Sequence, residues 1–299
     1  MADTRQWTAG RPAQPRLHAL AEQVGRLEAL DGPAEAVARR VRGLLDPGAV
    51  KDALSGAWLG HALHPLLTDI PIGTWSSAGI LDVVGGRRSQ EAAERLIGIG
   101  VLAAVPTAIT GTSDWADTTP ADDTVRRIGA VHAAANTVAL LLYGSSLAAR
   151  RRRRHGRGVA LGLAGLGALM AGGHLGGHLS YDKAVGVQNT AFRDLPGEWT
   201  PTVAEEEVRE GEPTVATAGD IDVLLTRHEG RIYALADRCT HRGGRLSEGP
   251  LEDGCVTCPL HGSIFRLVDG SVVRGPAGAP EPAFDVRVQE GTVQVRAHA

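Results

Sequence analysis

Four apolar stretches, roughly residues 66–84, 92–111, 128–149 and 158–180, most limit what this chain can fold into. Each approaches the ~20 residues with which a helix crosses a bilayer. The clearest are IGAVHAAANTVALLLYGSSLAA and GVALGLAGLGALMAGGHLGGH, and neither carries the polar stripe of a helix in a soluble bundle. Both are rich in Gly, Ala and Ser, which let helices approach closely where lipid removes the hydrophobic drive. A soluble four-helix bundle is the competing reading. The pattern favours a four-span membrane bundle over residues 63–180. The whole-chain averages, 43% hydrophobic and a net charge of -3, conceal it. Basic residues fall in short loop clusters, without the aromatic interleaving of a nucleic-acid surface, so no nucleic-acid partner is expected.

Residues 1–62 are polar, with apolar residues at helical spacing in LHALAEQVGRLEAL and EAVARRVRGLL. Two amphipathic helices are expected, broken at Asp31-Gly32-Pro33 and at Asp46-Pro47-Gly48. They would lie on the membrane surface or cap the protein itself. The N-terminus has no apolar core of a signal peptide, so insertion must come from the internal stretches. Arg150 to Arg154 lie between the third and fourth stretches, whereas SDWADTTPADDTVRR, between the second and third, is mostly acidic. The positive-inside rule puts the arginine side in the cytoplasm and both termini outside, in a multi-pass plasma-membrane topology.

After a linker at 181–198, residues 199–299 change character. DIDVLLTRHEGRIYALADRCT, VTCPLHGSIFRLVDGSVVRG and FDVRVQEGTVQVRA alternate apolar and polar residues between Gly turns at 229–230, 269–270 and 290–291. The expectation is a small antiparallel β domain. The fold class is therefore multidomain: a helical transmembrane bundle followed by an all-β domain.

The three cysteines lie between 239 and 258, too few and too clustered for a disulfide framework. Cys239 and His241 in CTHRGG, then Cys258 and His261 in CPLHGSIF, make the pattern C-x-H-x16-C-x2-H. Two thiolates suit one iron and two neutral imidazoles a second. Zinc takes the same donors, but zinc fingers pair Cys with Cys and His with His, whereas each arm here mixes the two. The arrangement closely resembles the Rieske family over about residues 199–298. That resemblance implies a 2Fe–2S cluster on Cys239, His241, Cys258 and His261, with Ser263 in the outer shell and Gly243, Gly244 and Gly262 in tight loops. Members of cytochrome bc complexes carry a disulfide where Gly244 and Leu260 stand, and a tyrosine where Phe265 stands. Fewer donors imply a lower potential, nearer the ferredoxin-like subtype. Cys255 is expected to be a buried structural thiol on the strand entering the second loop.

In the bundle, chain direction gathers His61, His64, Asp69, Asp114, Trp115, His132, His174 and His178 at the end from which the β domain emerges. His174 and His178, four apart, share a helix face. Ionisable groups within a membrane usually serve function. A b-type haem held by His64, His132, His174 or His178 is the sharp reading; a quinone pocket, another metal, or interhelical hydrogen bonds without a cofactor stand beside it. WLGHALHPLLTDIPIGTW and the later GGHL resemble an uncharacterised family of four-span membrane domains, sometimes fused to Rieske domains in bacteria. That resemblance covers about residues 56–182 and carries no established activity.

The expected function is one-electron transfer at a membrane, with a donor or acceptor protein or a quinone as partner and lipid around the bundle. The alternative is a redox-sensing or partner-binding module without turnover, so whether the chain is itself an enzyme stays open. Only 262–299 follow the last ligand, too short for the large domain that would hold a 2-His-1-carboxylate oxygen-activating iron.

Overall fold

The structure, a computed structural model, describes residues 15–45, 48–118 and 122–297. Two N-terminal helices, α1 (Arg16–Gly25) and α2 (Asp31–Leu44), cross the end of a helical bundle. The break between them comes earlier than the sequence suggests, at Arg26–Leu30, and Asp31-Gly32-Pro33 forms the first turn of α2. Proline suits that turn because its missing N–H would have no helical partner there. Asp31 favours a helix start through the dipole. It also accepts hydrogen bonds from Arg126 Nη2 (2.9 Å) and Arg127 Nε (2.7 Å), fastening α2 to the bundle. The second expected break falls at Asp46 and Pro47, outside the described residues, while Gly48 precedes α3 (Ala49–Ser55), a short helix the sequence did not suggest.

The four apolar stretches lie within α4 (Leu63–Val84), α5 (Gln90–Thr118), α6 (Asp123–Arg151) and α7 (His155–Gly177), with a π turn at His178–Asp182. Among the described residues, three helices are long and apolar enough to cross a membrane: Gly86–Thr118, Asp123–Arg151 and His155–Asp182. α4 is 22 residues long but carries Asp69 and Asp82, and is not one of the three. Asp82 pairs with Arg150 of α6 through Oδ1 and Nη1 at 2.9 Å, both side chains buried. The helices meet on small residues. A Cβ on Gly165 would stand 3.0 Å from the Tyr143 ring, and that ring stacks on Trp75 with centroids 4.2 Å apart.

The C-terminal domain holds two antiparallel sheets. The larger has six strands in the order β1-β10-β9-β4-β3-β2: β1 (Thr200–Ala204), β2 (Thr214–Ala218), β3 (Ile221–His228), β4 (Arg231–Ala236), β9 (Ala283–Gln289) and β10 (Thr292–Ala297). The smaller, in chain order, is β5 (Leu251–Glu252), β6 (Cys255–Thr257), β7 (Ile264–Arg266) and β8 (Val272–Arg274). Hairpins turn at Glu229-Gly230 and Glu290-Gly291, where both residues have positive φ. Such turns match the right-handed strand twist, and glycine enters them without strain. β1 and β2 were not apparent from sequence; β1 contains Pro201, which an edge strand tolerates.

The β domain sits on the end of the bundle that carries α1–α3. Arg242 donates to the Lys183 carbonyl (3.1 Å) and lies 3.4 Å from Asp122, the N-cap of α6. The Gly275 N–H donates to Asp52 of α3 at 3.3 Å. A Cβ on Gly275 would stand 2.6 Å from Ser55 Oγ, so glycine permits the approach.

Candidate metal centre

Two loops of matching construction project from the smaller sheet's side of the β domain. In the first, Cys239 N–H bonds the Gly244 carbonyl (2.9 Å) and Gly243 N–H returns to the Cys239 carbonyl (2.8 Å). In the second, Cys258 N–H bonds the Ser263 carbonyl (2.7 Å) and Gly262 N–H returns to the Cys258 carbonyl (2.9 Å). Gly243 and Gly262 take φ of 69° and 77°, the left-handed conformation that closes each loop. One Cys and one His stand at equivalent places in each.

Both cysteines are buried in the core formed by Leu224, Leu235, Leu246, Val256 and Phe265. The amides of Leu260 and His261 donate to the Cys258 sulfur, and that of His241 to Cys239. Beside the Cys239 thiol and under those amides, the Cys258 thiol is drawn down to about 7. Cys239 is pushed up by its hydrogen bond with the Cys258 thiol and by burial. The two thiols thus stand within hydrogen-bonding reach of one another, as two sulfurs sharing one metal would.

The imidazoles of His241 and His261 lie with centroids 5.0 Å apart and planes 81° to one another. Burial pushes both down, His241 to about 3 with His261 and Arg242 adding, His261 to about 4 with Arg242 adding. Both are neutral at pH 7, the state that binds metal. His241 Nδ1 and both nitrogens of His261 are buried without a hydrogen-bond partner. Buried polar nitrogens normally find partners, so an unpartnered nitrogen on each of two adjacent imidazoles, in the loops that carry the two buried thiols, fits a bound metal group.

Other residues fix the loops. Thr240 N–H donates to Glu281 Oε1 (2.6 Å) and its hydroxyl to the Ala279 carbonyl (2.9 Å). Glu281 is buried, which pushes it up to about 8. Asn189 donates to the His241 carbonyl at 2.5 Å. Ser263, fully buried, accepts from Ala277 N–H at 2.9 Å. Sequence reasoning found Ser263 but not Thr240, Glu281 or Asn189, whose role depends on contacts between distant segments. A Cβ on Gly244 would stand 3.0 Å from Leu260 Cβ, so the two positions do face one another, without thiols. Cys255 is on the entering strand but is half-buried, not buried.

His261 turns toward the bundle. With Gly262, Arg274 and Pro276 it lines one side of a partly open cavity of about 200 Å³, and Arg42, Lys51 and Asp117 line it from the bundle. Lys51, buried on α3, bonds Asp117 (2.7 Å) and Ser113 Oγ (2.7 Å). Neither Lys51 nor Asp117 stood out in sequence.

Of the four bundle histidines, His64 and His132 join helices within the bundle, while His174 and His178 turn to α1. His64 Nδ1 bonds the Thr107 carbonyl (2.9 Å) and His132 Nδ1 the Gly172 carbonyl (2.8 Å), each joining two helices. His174 and His178 share a face as expected, but that face meets α1: His174 Nε2 lies 3.2 Å from the Leu17 carbonyl and His178 Nε2 3.1 Å from Glu22. Helix periodicity fixed their common face, not which neighbour it meets. His61 and Asp69 are exposed, and Trp115 bonds the Arg126 carbonyl.

Paired Cys/His loops on a two-sheet β domain, seated on a bundle of apolar helices, define a membrane protein with a mixed-ligand iron–sulfur domain. Residues 198–290 match the family described as Rieske [2Fe-2S] domain, and residues 60–189 that described as predicted membrane protein (DUF2231). The chain belongs to the Rieske [2Fe-2S] family, with a DUF2231 domain on its N-terminal side. The anthranilate 1,2-dioxygenase ferredoxin subunit of Burkholderia cepacia is 37% identical over 98 residues, 33% of this chain and 91% of that protein. The ferredoxin component of the naphthalene 1,2-dioxygenase system of Pseudomonas putida is 30% identical over 97 residues, 32% of this chain and 93% of that protein. The solved ferredoxin of carbazole 1,9a-dioxygenase from Nocardioides aromaticivorans IC177 is 24% identical with a TM-score of 0.32, covering 33% of this chain and 98% of that one. The Rieske domain makes the chain a 2Fe–2S, electron-transfer protein, and its partner domain makes it a membrane protein.

Proposed function

We propose that Cys239 and Cys258 hold one iron of the cluster and His241 and His261 the other, and that the chain is a membrane-tethered one-electron carrier. When bound, the cluster supplies one reversibly exchanged electron. The chain's own contribution is environmental. Buried thiols and donated amides stabilise the thiolate side, two neutral imidazoles lower the negative charge on the other, and Arg242 adds a positive charge beside them. The observation that carries the proposal is the pair of matching loops, each with a buried thiol and an imidazole that keeps an unpartnered buried nitrogen, the two rings 5.0 Å apart.

His261, the ligand nearest the bundle cavity, is the exit this reading assigns to the electron. The partner is a redox protein, by analogy with the oxygenase systems in which the related ferredoxins are named. A haem or quinone between the helices is not needed by this route, since His64 and His132 serve as interhelical hydrogen-bonding groups. The β domain lies opposite the Arg150–Arg154 end, which loop charge assigns to the cytoplasm.

Purified protein in detergent is expected to hold two irons and two acid-labile sulfides per chain and to cycle through one electron reversibly. Cys239→Ser, His241→Ala, Cys258→Ser and His261→Ala should each lose the sulfide. One zinc per chain and no sulfide in the intact protein would overturn the proposal.

A further inference from the structure

Away from the cluster loops, α1 and the end of α7 bring together two imidazoles and two carboxylates. His18 Nδ1 lies 3.9 Å from Asp182 Oδ1, and His178 Nε2 lies 3.5 Å from Asp182 Oδ2 and 3.1 Å from Glu22 Oε1. The two rings meet edge to face with centroids 5.0 Å apart. One donor atom from each of His18, His178 and Asp182 lies within 4.8 Å of the others. A tetrahedral zinc ion with bonds of about 2.0 Å keeps neighbouring donors about 3.3 Å apart. The observed separations bracket that edge length.

We propose that His18, His178 and Asp182 bind a divalent transition-metal ion that pins α1 to the end of α7, with Glu22 beside His178 adding negative charge. Imidazole with carboxylate is a donor set for zinc and its neighbours and not for calcium or magnesium. A further feature points the same way. His178 and Asp182 bound a π turn, in which Lys183 N–H reaches the His178 carbonyl (3.1 Å), and such turns concentrate at functional sites. Lys183 Nζ lies 2.6 Å from Glu22 and 2.9 Å from Asp182, so its ammonium competes with the ion and must turn aside when the ion binds. The His178 side chain is 3% exposed and Asp182 36%, which leaves one rigid donor inside and an open approach from solvent.

An ion-pair cluster without a metal site forecasts no zinc uptake by the intact protein and only a loosened α1 in Lys183→Met. The test is equilibrium dialysis of the intact, iron-loaded protein against zinc chloride, with zinc and iron counted together by mass spectrometry. One zinc per chain, additional to two irons, is expected. His18→Ala and His178→Ala should each weaken binding at least tenfold. His18 is 29% exposed on the outer helix, so its variant reports on the site even if the buried His178 variant fails to fold. Lys183→Met should tighten zinc binding several-fold by removing the competing charge. No zinc uptake, unchanged uptake in His18→Ala, or unchanged or weaker binding in Lys183→Met would overturn the proposal.

Discussion

Arg242, the residue after His241, reaches out of the cluster loop to Asp122 at the start of α6, 3.4 Å away. Its Nη1 also donates to the Lys183 carbonyl at 3.1 Å, so one guanidinium joins the first loop to two elements of the bundle. The arginine side chain is 12% exposed and the aspartate 35%, a pair only partly shielded from water.

Arg242→Ala should therefore loosen the docking of the β domain by about 1–2 kcal/mol, the sum of a half-exposed ion pair and one hydrogen bond. Hydrogen exchange at Gly275, which bonds Asp52 across the same interface, is the readout, and its protection should fall. Unchanged protection would mean that the contact does not hold the domains together.

Asp31 is held well below the usual carboxylate range by its hydrogen bonds to Arg127 and Arg126. A depressed carboxylate stabilises the folded arrangement fully above its unfolded value of about 3.9, and loses that contribution as pH falls through the folded value. Exchange protection of α2 should hold from neutral pH to about 4 and fall below it. In Asp31→Asn protection should be lower at neutral pH and nearly flat across that window. A wild-type protein losing α2 protection between pH 6 and 8 would contradict the assignment.

Asp82 and Arg150 form the buried ion pair at the opposite end of the bundle, with side chains 3% and 0% exposed. Removing one partner leaves an uncompensated charge, so Asp82→Ala should cost about 3–5 kcal/mol in detergent unfolding. Asp82→Ala with Arg150→Met should recover much of it, because an apolar pair needs no compensation.

Ser263 is buried, and its oxygen accepts the Ala277 amide. Ser263→Ala leaves that amide unpaired, at about 1–3 kcal/mol in stability. If the hydroxyl proton turns to the cluster, the reduction potential falls as well. Chemical unfolding and a redox titration separate the two effects.

The cluster loops were legible because each is local: a Cys, a His and the closing glycines lie within six residues, and Cys239–Gly244 and Cys258–Ser263 close on themselves. The helices were legible through composition, and their observed ends run past the apolar stretches by up to several residues. What remained hidden is what depends on the meeting of distant segments. Lys51 lies in an unremarkable AVKDALS, and only folding brings it to Asp117 beneath His261. Glu281 reads as one charge in a proline-rich stretch until it caps the Thr240 amide. His178 was legible as a helix-face partner of His174, but α1 decides what that face touches.

The ligand set is tested most directly by hyperfine spectroscopy of the reduced, detergent-solubilised protein carrying ¹⁵N-histidine. Two strongly coupled imidazole nitrogens on a rhombic 2Fe–2S signal are predicted, with one lost in His261→Cys. A paramagnetic cluster without nitrogen coupling, or a diamagnetic protein containing zinc, would contradict the account.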